Sequence, residues 1–465
     1  MIWRKYGAAA SCHDSAMTNL DDMRRLGLFD ARVPRYTSYP PATAFSPQTD
    51  QAFQTASLQA LDPAVPVSVY VHIPFCERLC WFCACRTQGT TTLKPVANYL
   101  QVVLKELALL RDTLPQGVRM GQMHWGGGTP TILPPEMIRT LAKAVKDVIP
   151  PAENFSFSVE IDPTLVDEAK IAALAEMGMT RASIGIQDFA TDVQEAIGRK
   201  QSFAQTRACV ETLRAAGITS LNADLVYGLP YQTPGKLADT IAKVSALDPD
   251  RIALFGYAHV PTFSKRQKLI PDDALPKEEE RYHLARQAAN AFTGSGYTAI
   301  GIDHFGKPED SLTRAAKSGH LRRNFQGYTD DTCPTLIGIG ASSISQFAEG
   351  YIQNAAATAA YIERIEAGQL AGHRGYAMTE TDRLHAQAIN MLMCDFEIDL
   401  TALASHPQAA TLTSIHEALL KDFAGYVTRS GDKISITPQG RALTRIIAQR
   451  YDGFSSIAAQ YSQAS

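Results

Sequence analysis

Four of the eight cysteines in this 465-residue sequence fall in one short segment, HIPFCERLCWFCAC at positions 72–85. Cys76, Cys80 and Cys83 are spaced C-x3-C-x2-C, and Cys85 follows two residues later. Three thiolates at that spacing can hold three irons of a [4Fe–4S] cluster and leave the fourth iron without a protein ligand. An open coordination position is what a catalytic metal centre needs. Two other readings use the same residues: a closed cluster with Cys85 as fourth ligand, and a zinc site. Zinc ligation favours two separated C-x2-C pairs, and no second pair follows downstream. Cys12, Cys209, Cys333 and Cys394 are dispersed and read as structural or incidental thiols. Cysteines this sparse do not make a disulfide framework, so their clustering points to a metal site in a reducing compartment, the cytoplasm.

A second motif, HWGGGTP at 124–130, places three successive glycines where a strand gives way to a turn. Without Cβ atoms, Gly126, Gly127 and Gly128 let the backbone approach a ligand closely. A tight βα turn would use the same residues, so position decides. Glu160, Asp162, Gln187, Asp188 and Asp224 lie at or near the ends of later strand runs. Ligands of parallel α/β sheets bind at the C-terminal strand ends, where the cysteines and glycines also fall. Asp224 sits in an apolar run, where a carboxylate is costly to bury unless paired, so it is either a satisfied structural anion or a ligand contact. His72 and His124 flank the two motifs and read as supports for them, not as metal ligands.

The elements that must position these residues are legible as periodicity. Strand-like runs at 67–73, 122–125, 155–161, 181–186, 220–226 and 252–257, with another at 297–302, alternate with helical patterns at 96–112, 135–148, 166–176, 203–216 and 236–246. This alternation predicts an α/β fold built on a partial parallel (β/α)6 barrel. We divide the chain into an N-terminal arm or lid (1–50), a catalytic partial barrel (51–365) and a smaller, mostly helical C-terminal domain (366–465) with a hairpin at 427–436. The arm carries VPRYTSYPPATAFSP, which should be irregular or extended. Residues 1–16 read as a non-secretory, disordered lead-in, with Met17 a candidate start. A hydrophobic content of 45%, a charged content of 20% and a net charge of −3 give no global basic field for nucleic acid. No apolar run approaches the roughly 18 residues of a membrane span.

Taken together, these motifs resemble the oxygen-independent coproporphyrinogen III oxidases of the radical S-adenosylmethionine (SAM) superfamily, over nearly the full length. The resemblance rests on PRYTSYP at 34–40, YVHIPFC at 70–76, the cysteine set including Cys85, HWGGGTPT at 124–131, VEIDP at 159–163, GIQDF at 185–189, DLVYGLPYQT at 224–233, YAHVPT at 257–262, IDHF at 302–305 and RNFQGYT at 323–329. It implies a radical-SAM-type barrel and a [4Fe–4S] cluster on Cys76, Cys80 and Cys83, with Cys85 off the iron and, with Tyr70, on the catalytic side. The family's SAM contacts match Tyr70, Phe82, Gly127, Gly128, Thr129, Glu160, Gln187, Arg199, Asp224, Ala258 and Ile344, enough for two SAM molecules. It further implies coproporphyrinogen III as substrate, an unidentified electron donor and a monomer. The substrate is strongly anionic, so Arg35, Arg322 and Arg323 are expected to meet its carboxylates. One departure is visible: Ala84-Cys85-Arg86 stands where the family commonly has Gly-Cys. A heme-binding relative of the superfamily typically lacks the fourth cysteine and the PRYTSYP arm, and a plain iron–sulfur electron carrier needs neither the glycine loop nor the polar strand ends.

Overall fold

The computed structural model describes residues 20–454, so Cys12 and the 1–16 lead-in lie outside the described residues. Six parallel strands form the centre of the sheet: β1 (Val67–Ile73), β2 (Met120–Gly127), β3 (Pro151–Ile161), β4 (Arg181–Gln187), β5 (Ser220–Tyr227) and β6 (Arg251–Gly256). β1, with the sequence VSVYVHI, is buried at six of its seven positions, as expected for a parallel strand covered on both faces.

The crossovers begin where local chemistry starts a helix. Asp167 accepts from the Lys170 N–H at the head of Glu168–Glu176, and Ser202 and Gln205 form a reciprocal capping box before Phe203–Ala215. Thr233 caps Pro234–Leu247 by accepting from the Lys236 N–H. Lys94–Thr113 and Pro135–Val148 complete the set, and their apolar faces join the strands in one large core. The six βα units expected from periodicity are therefore present, with strand and helix ends moved by a few residues.

The sheet is longer than periodicity indicated. It has twelve strands, because β7 (Thr298–Ile300) and β8 (His304–Gly306) extend one edge while β9 (Leu336–Ile339), β10 (Ile344–Phe347), β11 (Gly350–Asn354) and β12 (Gly372–Ala377) extend the other. Its order is β12-β11-β10-β9-β1-β2-β3-β4-β5-β6-β8-β7. The expected run at 297–302 is thus shorter and antiparallel. β12 lies beyond residue 365, so the sheet continues into the segment expected to be mostly helical.

The rest of that segment holds helices such as Glu380–Asp395 and a three-stranded ribbon of Glu397–Asp399, Lys433–Ile436 and Val427–Ser430. The arm shares its core: Met23, Leu28, Val33 and Tyr36 are buried with Leu392, Leu419 and Tyr451. The Tyr36 hydroxyl donates to Asp452 at 3.0 Å.

One buried carboxylate ties the first crossover helix to the turn after β9. Glu106 accepts from Tyr361 Oη at 2.6 Å, Gly340 N at 2.7 Å and Asn354 Nδ2 at 2.8 Å. Burial outweighs these bonds and raises its pKa from 4.5 to about 7. The folded state therefore holds a proton that the unfolded state releases, and the associated stability is lost as pH rises between those values. We predict that the melting temperature of the wild type falls from pH 5 to pH 8 by more than that of Glu106→Gln; equal falls would contradict the assignment.

Candidate active site

The C-terminal ends of β1 to β5 converge on a cavity of about 200 Å³. Cys76, Cys80, Cys83 and Cys85 line it together with Phe82, Gly127, Gly128, Thr129, Glu160, Gln187, Arg199 and Asp224. Asp162 lines it as well, so thirteen of the residues singled out in the sequence meet at one place.

Each cysteine of the C-x3-C-x2-C set has a donor at its sulfur. Thr129 Oγ1 donates to Cys76 Sγ at 3.5 Å, Arg199 Nη1 to Cys80 Sγ at 3.5 Å, and the Cys85 backbone N–H to Cys83 Sγ at 3.4 Å. The hydrogen bond from the Cys85 thiol lowers the pKa of Cys83, while that same contact pushes Cys85 up, and burial pushes Cys76 up to about 11 against the bond from Thr129. Donors and a guanidinium around sulfur are the surroundings that stabilise thiolates. Three such sulfurs facing an open cavity fit the ligand set of an iron–sulfur cluster with one free iron position.

The glycine turn is sterically obligatory. A Cβ on Gly126 would lie 2.7 Å from Glu160 Oε1, one on Gly127 would lie 2.5 Å from the His72 ring, and one on Gly128 would lie 2.5 Å from the Phe75 carbonyl oxygen. Gly127 also has φ +112°, a left-handed value that side chains rarely adopt. The close approach lets the Gly127 N–H donate to Glu160 Oε2 at 3.1 Å, while His124 Nε2 lies 3.4 Å from Oε1. Burial opposes ionisation of Glu160, yet His124 and this N–H together hold its pKa below the ordinary value.

The next strands deliver their residues by different means. At the end of β4 a register shift between Gly185 and Gln187, with Gln187 at φ +68°, turns that side chain toward the cavity. Asp224 accepts from Ser183 Oγ and Asn222 Nδ2, each at 2.8 Å, and burial raises its pKa. It is both a satisfied buried carboxylate and a cavity residue. Asp162 forms ion pairs with Arg199 at 3.2 Å and Arg78 at 3.4 Å.

Several contributors gave no sequence signal. Ser264 Oγ donates to the Cys83 carbonyl at 3.0 Å, Arg266 Nη2 to that of Cys85 at 3.0 Å, and Gln267 Nε2 to that of Phe82 at 2.8 Å. All three come from the turn around Lys265–Leu269, which follows β6 and thereby holds the cysteine loop. Arg78, Ser183 and Arg266 also line the cavity. Such side-chain-to-carbonyl contacts have no periodicity from which to predict them.

The remaining expected residues lie outside the cavity lining. Tyr70 stands beside it, with its hydroxyl 3.1 Å from His72 Nδ1 and its ring stacked on His124 at 5.7 Å. The Ala258 carbonyl accepts from Gln267 at 3.1 Å, and Ile344 flanks Gly338, the register partner of Tyr70. Arg322 and Arg323 serve the backbone: Arg322 donates to the Thr332 carbonyl, and Arg323 to those of Arg35 and Tyr36 while lying 4.1 Å over the Tyr328 ring. Arg35 donates to the Gly256 carbonyl at 2.6 Å and lines a different cavity.

Residues 70–244, which contain the cysteine loop and five strand ends, match the Radical SAM superfamily. An oxygen-independent coproporphyrinogen III oxidase of Cereibacter sphaeroides is 60% identical over 453 residues, 97% of this chain and 100% of that protein. The chain belongs to the oxygen-independent coproporphyrinogen III oxidase family. The protein of that name from Paracoccus denitrificans is 50% identical over 96% of this chain and 100% of its own length. Among solved structures, the coproporphyrinogen III oxidase HemN from Escherichia coli, described as a radical SAM enzyme, superposes with a TM-score of 0.86. It is 35% identical, covering 90% of this chain and 97% of that one. The family likeness therefore includes the arm and the C-terminal unit as well as the barrel.

Proposed function

We propose that this chain oxidatively decarboxylates two propionates of coproporphyrinogen III to vinyl groups, giving protoporphyrinogen IX in heme biosynthesis. The observation that carries this reading is the convergence of three donor-supported cysteines, the glycine turn and the polar strand ends on one cavity, in a chain whose oxidase relatives match it end to end.

In this reading Cys76, Cys80 and Cys83 hold a [4Fe–4S] cluster and leave one iron for SAM. When bound, cluster and SAM would supply the radical chemistry that removes a hydrogen atom from each propionate. The chain's residues do the positioning. Glu160, held ionised by His124 and Gly127, offers a carboxylate to the amino or ribose groups of SAM. Gly127, Gly128 and Thr129 let backbone lie against the ligand, and Phe82, Gln187, Arg199 and Asp224 complete the wall. Tyr70, Ala258 and Ile344 stand next to this wall and belong to the proposed SAM set, which we assign to two molecules, one for each propionate. Cys85, exposed beside the cluster loop, acts on the substrate side.

The propionates need cations. Arg78 and Arg199 are already paired with Asp162, whereas Arg266 lines the cavity and, among the described residues, forms no salt bridge with a carboxylate. Arg266 is therefore proposed as a carboxylate partner beside Arg35, Arg322 and Arg323, all four of which also donate to backbone carbonyls. No helix among the described residues is long and apolar enough to cross a membrane. We place the enzyme in the cytoplasm as a monomer supplied by a separate electron donor.

Two expectations follow. Cys85→Ser retains the absorption and electron paramagnetic resonance signature of the cluster but loses decarboxylation, whereas Cys80→Ser loses both; loss of the cluster in Cys85→Ser would instead support a closed four-cysteine site. Arg266→Gln raises KM for coproporphyrinogen by about tenfold or more, the scale of one lost charged hydrogen bond, and by more than it raises KM for SAM, which registers the loosened hold on the Cys85 carbonyl. An unchanged porphyrinogen KM would remove Arg266 from the substrate site.

A further inference from the structure

A chain of polar contacts leads from the cysteine loop across the sheet to its edge. His72 Nε2 lies 3.2 Å from the Arg86 carbonyl oxygen and 3.4 Å from Ser342 Oγ. The Ser342 carbonyl accepts from Gln353 Nε2 at 3.0 Å, and Gln353 Oε1 accepts from Arg374 Nε at 2.8 Å. Gln353 of β11 and Arg374 of β12 are register partners, so their side chains stand on one face of the sheet. The next residue, Gly375, exchanges both backbone hydrogen bonds with Ser46 of the arm, at 2.8 Å and 3.0 Å, which fixes β12 at this point. These contacts draw Arg374 toward Arg86, and Arg86 follows Cys85 directly in the chain.

We infer that Arg86 and Arg374 together hold a propionate of the porphyrinogen that the reaction leaves intact. The inference rests on the function proposed above and extends it to the part of the substrate that does not react. Neither arginine lines the cysteine cavity. A carboxylate held between them therefore lies outside the space where a reacting propionate meets SAM. Of the four propionates of the substrate, two are consumed and two persist through every step. Only a persistent one can anchor the molecule from start to finish.

The two guanidiniums suit that task. Among the described residues neither forms a salt bridge with a carboxylate; Arg374 is engaged through Nε by Gln353, and the exposed Arg86 lies 5.5 Å over the Phe263 ring. Burial and the positive charge of Arg86 lower the pKa of Arg374, and an anion between the two would offset both effects. Their planar forks can take a carboxylate with parallel hydrogen bonds. Phe263 is 66% exposed, an apolar ring beside the pair that the body of a tetrapyrrole would cover.

Anaerobic absorbance titration of the full chain carrying its cluster, with two oxidised porphyrins that cannot react, tests the inference. Coproporphyrin III has all four propionates, whereas mesoporphyrin IX keeps only the two that the reaction leaves intact. Both are expected to bind one per chain. Arg86→Glu weakens both at least tenfold and by similar factors, and Arg374→Gln, on a strand remote in sequence from the loop, also weakens both. The Arg86 side chain is exposed, and an unchanged electron paramagnetic resonance signal of the cluster verifies that both variants fold. Unchanged mesoporphyrin affinity in both variants, or a loss confined to coproporphyrin, would overturn the inference and leave the proposed reaction standing. Failure of the wild type to bind either porphyrin would overturn both.

Discussion

The cysteine loop is held at both ends by parts of the chain far apart in sequence, and the rest of the site depends on that restraint. Its start is fixed by β1, whose burial on both faces leaves the strand no freedom to slide. Its far end is held by Ser264, Arg266 and Gln267, which occupy the carbonyls of Cys83, Cys85 and Phe82. Three sulfurs can present a common face to a ligand only if the backbone between them is fixed in this way. The same turn also links the loop to Ala258 at the end of β6, so the first and last parallel strands of the barrel share one restraint.

Charge is arranged with equal economy across the cavity. Asp162 forms ion pairs with two guanidiniums, which leaves one net positive charge among the three, and one of the guanidiniums also reaches Cys80. Glu160 is kept ionised against the cost of burial by a histidine and a backbone N–H, whereas burial prevails at Asp224 and raises its pKa. Two carboxylates on the same wall thus shift in opposite directions, one supported by His124 and a backbone N–H and the other by a hydroxyl and an amide that do not offset its burial. A ligand carrying both amino and hydroxyl groups would find complementary partners along that wall.

Much of this was legible in the sequence, for identifiable reasons. β1 was readable because β-branched and aromatic residues recur through a seven-residue run, and the helix starts because Asp167, Ser202 and Thr233 are local caps. The cysteine, glycine and carboxylate residues were readable because each sits at the end of a strand. What escaped notice lacked a period. β9 to β12 are short and interrupted by glycines, so their alternation is weak, and their place in the sheet comes from β9 pairing with β1 and each later strand with the one before it. Arg322 and Arg323 were expected at the substrate because they adjoin a recognisable motif. Folding instead brings Arg323 against the carbonyls of the arm, a contact spanning 288 residues that no local pattern encodes.

The most direct test of the account is anaerobic turnover of the reconstituted, reduced chain with SAM and coproporphyrinogen III, measuring 5′-deoxyadenosine and protoporphyrinogen IX together. The account predicts both products, with two deoxyadenosines formed for each protoporphyrinogen. Deoxyadenosine without porphyrin product, or neither product from a chain carrying its full cluster, would contradict it.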